Sequence, residues 1–211
     1  MLSPEISEFL SDFKPKTHAV VFYDTAERKR ELMFNHLRFG AEKNEGLAYV
    51  CSEEHPLQIQ EEMKGFGIDV ANLRERNRLL INNYNRVYIV DGQVNIPDVM
   101  TAFGDLAKKY QSMGLDGMRA AAEMSCFFKE EKVKELIAYE YAMHRKLAFQ
   151  AEGICGYNIF DLSKSGYLGM IMPLVRAHDP VMLIGPNQSL LLEPEKVEEK
   201  QVEETMKIKM T

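Results

Sequence analysis

Short apolar runs alternate with amphipathic stretches along almost the whole chain, and that rhythm leaves few folds open. The runs THAVVFYD, GLAYVCS, RLLINNY, GMRAAAEM and GICGYNIF are each short and rich in strand formers. RVYIVDG either extends the third run or forms another piece. Between the runs lie segments with a helical period. PVMLIG and SLLLEP then read as a closing hairpin about the turn residues PNQ. Strands that each feed a helix predict an α/β sandwich on a largely parallel sheet. The 211 residues, 45% of them hydrophobic, suit one large domain with appended ends.

The helical segments carry start and stop signals. SPEISEFLSDF sets Ile6, Phe9, Leu10 and Phe13 on one face behind Ser3 and Pro4. This face packs on its own domain or on another subunit. After the first strand, Asp24 and Glu27 have the spacing of a capping box, and Met33, Phe34, Leu37 and Ala41 point inward. A helix is expected from about His55 to Phe66. NIPDVMTAFGDLAKKYQSMG is a further helix, capped by Asn95 and closed by Gly114, with Met100, Phe103, Ala107 and Tyr110 inward. A long helix is expected from about Lys129 to Phe149, and another around Tyr167 to Ala177. From Pro194 the chain is mostly Glu and Lys and reads as a solvated tail. The organisation is then an N-terminal helix at 1–15, a main domain at 16–192 and a charged tail at 193–211.

Several function classes are disfavoured. A net charge of −6 gives no bulk attraction to nucleic acid or anionic membrane. The basic runs ERKR and RERNR read as solvated faces. The three cysteines lack metal or redox spacing and read as reduced thiols of a cytoplasmic protein. No signal peptide and no membrane-length apolar run is present. The first strand-to-helix turn, FYDTAERKREL, has no glycine, so its backbone cannot wrap phosphates, and Asp24 and Glu27 would repel them. There is no GxSxG elbow. Cys155 with His178 makes an imaginable nucleophile and base, but a buried structural thiol is the commoner case.

Two carboxylates break apolar patterns. Glu123 ends GMRAAAE, and Glu140, with His144 one turn on, interrupts the stripe of Val133, Leu136, Ile137, Leu147 and Ala148. A buried carboxylate needs a partner. Because a helix folds back over its sheet, Glu123 and Glu140 are expected to share one polar cluster, compensated by His144, His178 or Arg119. Tyr23, Glu123 and the end of GYNIFD should meet at the carboxyl edge of the sheet, where α/β folds bind ligands. His18, at the opposite end of its strand, reads as structural. A metal ranks below a polar network here, since no tight ligand motif such as HExxH occurs.

The pieces HAVVFYDTAERKRELMFNHLRFGAEKNEGLAYVCSEE, GMRAAAEMS, LIAYEYAMHRKL, GICGYNIFD and AHDPVMLIG, in this order over about residues 16–186, resemble the MEDS family. This is the sensory domain of methanogens and methylotrophs, found also in the dichloromethane-responsive repressor. The resemblance implies a three-layer RecA-like sandwich with a degenerate phosphate loop. It implies a cytoplasmic sensor of small molecules, proposed to be hydrocarbon derivatives; the chain is expected to be non-catalytic, with no cofactor and no bound metal. A two-fold homodimer is expected as the common closed oligomer, and output would pass to a histidine kinase or transcription-regulator partner. The family's polar positions fall on His18, Tyr23, Glu123, Glu140, Cys155, Tyr157 and His178, and all but His18 are taken as ligand-binding candidates. The chain departs from the family pattern at Cys126, where a larger aromatic is expected, and output is expected to be exercised through a partner rather than through a fused helix-turn-helix or kinase domain. The alternatives are a nucleotide binder without hydrolysis, a hydrolase using Glu123 and Glu140, and a scaffold.

Overall fold

The computed structural model describes residues 2–146 and 150–193, with residues 144–146 as backbone only. The charged tail, Leu147, Ala148 and the His144 side chain lie outside that description. The strands are β1 (His18–Tyr23), β2 (Gly46–Cys51), β3 (Leu79–Asn83), β4 (Met118–Glu123), β5 (Ala151–Asn158), β6 (Val181–Ile184) and β7 (Ser189–Leu192). They form one seven-stranded sheet in the order β3-β2-β4-β5-β1-β6-β7. Every pairing is parallel except the β6–β7 hairpin. The expected parallel α/β sheet and closing hairpin are both present.

Helices cover both faces, as a largely apolar parallel sheet requires. One face carries α1 (Pro4–Ser11), α2 (Ala26–Glu42), α3 (Pro56–Gly65) and α4 (Val70–Glu75). The other carries α5 (Ile96–Ser112), α6 (Cys126–Lys129), α7 (Val133–Lys146), α8 (Ile159–Lys164) and α9 (Ile171–Arg176). Right-handed crossovers explain the split. The step from β1 to β2 runs one way across the sheet, whereas those from β3 to β4, β4 to β5 and β5 to β6 run the other, so their helices fall on opposite faces. The apolar face of α1 is buried in its own domain, with Ile6, Leu10 and Phe13 in the core beside α2.

Several local expectations change. The long helix starts at Val133 rather than about Lys129, because Glu131 adopts φ +56° and separates α7 from the short α6, which ends at Lys129. The cap of α2 is Thr25, whose hydroxyl accepts from the Arg28 amide, while Asp24 instead pairs with the Arg28 side chain. RVYIVDG is not a strand: a 3-10 turn at Tyr84–Arg86 and a single bridge from Val90 to Gln93 take its place. β5 stops at Asn158, whose side chain accepts from the amides of Phe160 and Asp161 and starts α8.

Candidate functional site

Glu123 ends β4 at the carboxyl edge and is fully buried. Its partner is Lys29, on the first turns of α2, whose ammonium stands 2.7 Å from Glu123 Oε1. Tyr49 donates its hydroxyl to the same oxygen at 2.7 Å, and the amides of Ser52 and Glu53 each donate to Oε2 at 2.7 Å. Burial pushes the Glu123 carboxyl upward against the pull of Lys29. Four donors aimed at two oxygens mark it as the carboxylate. Lys29 also reaches Glu53 at 2.9 Å and Glu54 at 2.6 Å. Burial opposes its charge, yet Glu123 and Glu53 outweigh that and raise its pKa above the usual lysine range. Tyr23 donates to Glu53 and closes the cluster.

The run ERKR is therefore not a solvated face: Lys29 is fully buried, while Arg30 pairs with Glu54 at the rim. A signal for this was available. Lys29 lies four residues before Met33 on the inward stripe of α2, extended back by one turn. This is also where a phosphate loop would sit in such a fold. Here the space between β1 and α2 is filled by one lysine, three carboxylates and the packed side chains of Met33 and Tyr23.

Glu140 occupies the opposite face. It projects from α7 onto β5 and β1, fully buried among His18, Cys155, Tyr157 and His178. Glu123 shares the face of Arg119 and Ala121, whereas Cys155 and Tyr157 line the face under α7. The two carboxylates thus do not form one cluster, and the expected shared site is corrected to two. Arg119 compensates neither: it pairs with Glu45 at 2.7 Å and lies 2.9 Å from Glu152. His18 is not isolated at its strand end, since it faces Glu140.

The second cluster is compact. His18 Nε2 stands 3.3 Å from both Glu140 Oε2 and Cys155 Sγ. His178 Nε2 stands 3.3 Å from the same Oε2. Cys155 Sγ is 3.6 Å from it. Tyr157 donates its hydroxyl to the other oxygen, Oε1. Burial works against ionising Glu140, and the two imidazoles outweigh it and hold the carboxyl well below its usual range. Burial and then Glu140 push the Cys155 thiol far upward, so in this form it is no activated nucleophile.

Beside this cluster, between the sheet and helices α5 and α7, lies a cavity of ≈ 20 Å³, about the room of one water. Its walls are mostly apolar, from Ala120 and Ala122 on β4 to Phe103, Tyr139 and Met143 on the helices. His18, Cys155, Tyr88 and Glu152 also line it. Of the candidates read from sequence, Tyr23 and Glu123 belong to the first cluster, and Glu140, Cys155, Tyr157 and His178 to the second. Lys29 and Tyr49 were missed.

A parallel α/β sheet covered on both faces, with its first strand-to-helix turn filled by ion pairs, defines a RecA-like domain without a phosphate loop. Two structures from Pyrococcus horikoshii share this fold. The uncharacterized protein PH0321, solved in complex with an unknown peptide, is 17% identical, with a TM-score of 0.64 over 92% of this chain and 91% of its own. The KaiC-like protein PH0186 is 15% identical, with a TM-score of 0.61 over 86% of this chain and 80% of its own. No curated protein matches the chain. The chain belongs to the MEDS family, the methanogen/methylotroph, DcmR sensory domain, whose profile matches residues 17–179. That is a family of sensory domains. No helix among the described residues is long and apolar enough to cross a membrane.

Proposed function

We propose that this chain is a non-catalytic sensory module that binds a small, largely apolar molecule, such as a short hydrocarbon derivative. The cavity under α5 and α7 carries the reading. Its lining is mostly apolar, with His18, Cys155, Glu152, Tyr88 and Tyr139 as the residues that carry polar groups, which suits a small, largely apolar ligand with few polar contacts. In its present volume it admits a water-sized group, so a larger ligand requires Tyr139 and Met143 to shift. Such a shift would move α7, and signalling would then pass by protein contacts to a second copy or to a regulator or kinase. The nucleotide alternative loses support at the carboxyl edge, where Glu53, Glu54 and Glu123 surround the single ammonium of Lys29.

Thermal-shift titration with a panel of short halogenated and oxygenated hydrocarbons tests this, with magnesium-ATP as the control. A ligand that binds only the folded state raises Tm with concentration. Ala122→Leu, which fills the cavity, should abolish the response while the circular dichroism spectrum is kept. A panel without effect on the wild-type protein, or an ATP response with turnover, overturns the reading.

A further inference from the structure

We propose that His18, Glu140, Cys155 and His178 form a buried site for one divalent transition-metal ion of the zinc class. The assignment rests on the geometry of the cluster and not on the sensory reading. One ligand atom from each residue lies within 4.8 Å of the others. Around a tetrahedral ion with bonds of about 2.0–2.3 Å, ligand atoms stand about 3.3–3.8 Å apart. Of the six separations among these atoms, four, three of 3.3 Å and one of 3.6 Å, fall in that interval, and the two from His178 to His18 and to Cys155 are within 4.8 Å, so the cluster would tighten around an ion. A charged imidazole donating to a carboxylate would close to about 2.7–2.9 Å. Neither histidine does so. The His178 Nε2 atom lies near Glu140 without hydrogen-bonding geometry, buried and with no hydrogen-bond partner.

The surrounding contacts orient these atoms inward. His178 Nδ1 lies 2.7 Å from the Leu174 carbonyl oxygen, so Nδ1 carries a proton and Nε2 is the ring nitrogen left to bind an ion. Tyr157 holds Oε1 of Glu140 and leaves Oε2 to the centre. On binding, the Cys155 thiol and any imidazole protonated at Nε2 release their protons to solvent, and Glu140 binds as the carboxylate. Two neutral imidazoles, a thiolate, a carboxylate and a divalent ion sum to zero charge, which removes the penalty of burying an uncompensated anion. Thiolate with imidazole selects zinc-like ions over magnesium or calcium.

The full chain, stripped with chelator and reloaded, provides the test. Zinc should bind at one ion per chain and raise Tm. Cobalt should give the intense visible bands of a tetrahedral site and a thiolate-to-cobalt charge-transfer band in the near ultraviolet. Cys155→Ser should lose that band and weaken binding at least tenfold, whereas Cys126→Ser should keep both. X-ray absorption of the zinc-loaded wild-type chain needs no variant and should show one sulfur at about 2.3 Å with nitrogen or oxygen at about 2.0–2.1 Å. A wild-type chain that takes up no stoichiometric metal overturns the assignment. So does a site without sulfur, or a charge-transfer band that survives in Cys155→Ser.

Discussion

Replacing Lys29 with methionine strands a carboxylate rather than merely deleting a surface charge. Glu53 and Glu54 keep a little exposure, 15% and 11% of their side chains, and can turn to water. Glu123 is at 0% and cannot. Breaking a buried pair from one side costs about 3–5 kcal/mol. With a urea m-value of about 2 kcal/mol/M, the denaturation midpoint should fall by about 1.5–2.5 M at unchanged m. Adding Glu123→Gln to Lys29→Met should regain at least about 1 kcal/mol, and adding Glu53→Gln should regain less than about 0.5 kcal/mol. The pH dependence has a definite sign. Without Lys29, burial raises the folded pKa of Glu123 further above its ordinary 4.5. A carboxyl raised on folding stabilises in acid and loses that contribution as pH rises through the folded pKa. The variant's deficit should therefore be smallest in acid and grow toward neutrality. The reasoning is refuted if Lys29→Met costs under about 1 kcal/mol, or if Glu53→Gln rescues as well as Glu123→Gln.

Three further outcomes are expected. In metal-free protein, Glu140→Gln should destabilise by about 1–3 kcal/mol at neutral pH. Glu140 has its folded pKa lowered from 4.5, so its contribution is present above that value and lost as pH falls, and the variant's acid limb in a Tm–pH series should be flatter. Glu152 is pushed by burial, against Arg119, up to about 7, so the wild type loses stability between pH 4.5 and 7. Glu152→Gln should gain relative to wild type between about pH 5 and pH 8 in the same series. Gly46→Ala would set a Cβ 2.2 Å from the Tyr110 ring, whose hydroxyl is tied to the Leu47 carbonyl, and should cost about 1–3 kcal/mol in urea melts. Gly65, with open space around it, should accept alanine without loss.

The alternation of apolar runs with helical periods was sufficient to determine an α/β sandwich on a parallel sheet, because burial on both faces makes most residues of a strand apolar and a helix connects parallel neighbours. The missing glycines between Tyr23 and Glu31 likewise exclude a phosphate cradle whatever the rest of the chain does. The two odd carboxylates were also legible, since a charge in an apolar run stands out in one dimension. Their partners were not. Lys29 and Glu123 lie on different elements 94 residues apart, and a lysine in a basic run carries no local mark of burial. The separation of Glu123 from Glu140 depends on the direction in which the chain crosses the sheet. Right-handed connections put α2 and α7 on opposite faces only because β1 to β2 and β4 to β5 run opposite ways. That direction is a property of strand order, which pairing across the whole sheet decides. The same holds for the three groups around Glu140: His18, Cys155 and His178 have no common spacing in sequence, and only the adjacency of β5, β1 and β6 brings them within reach of one helix.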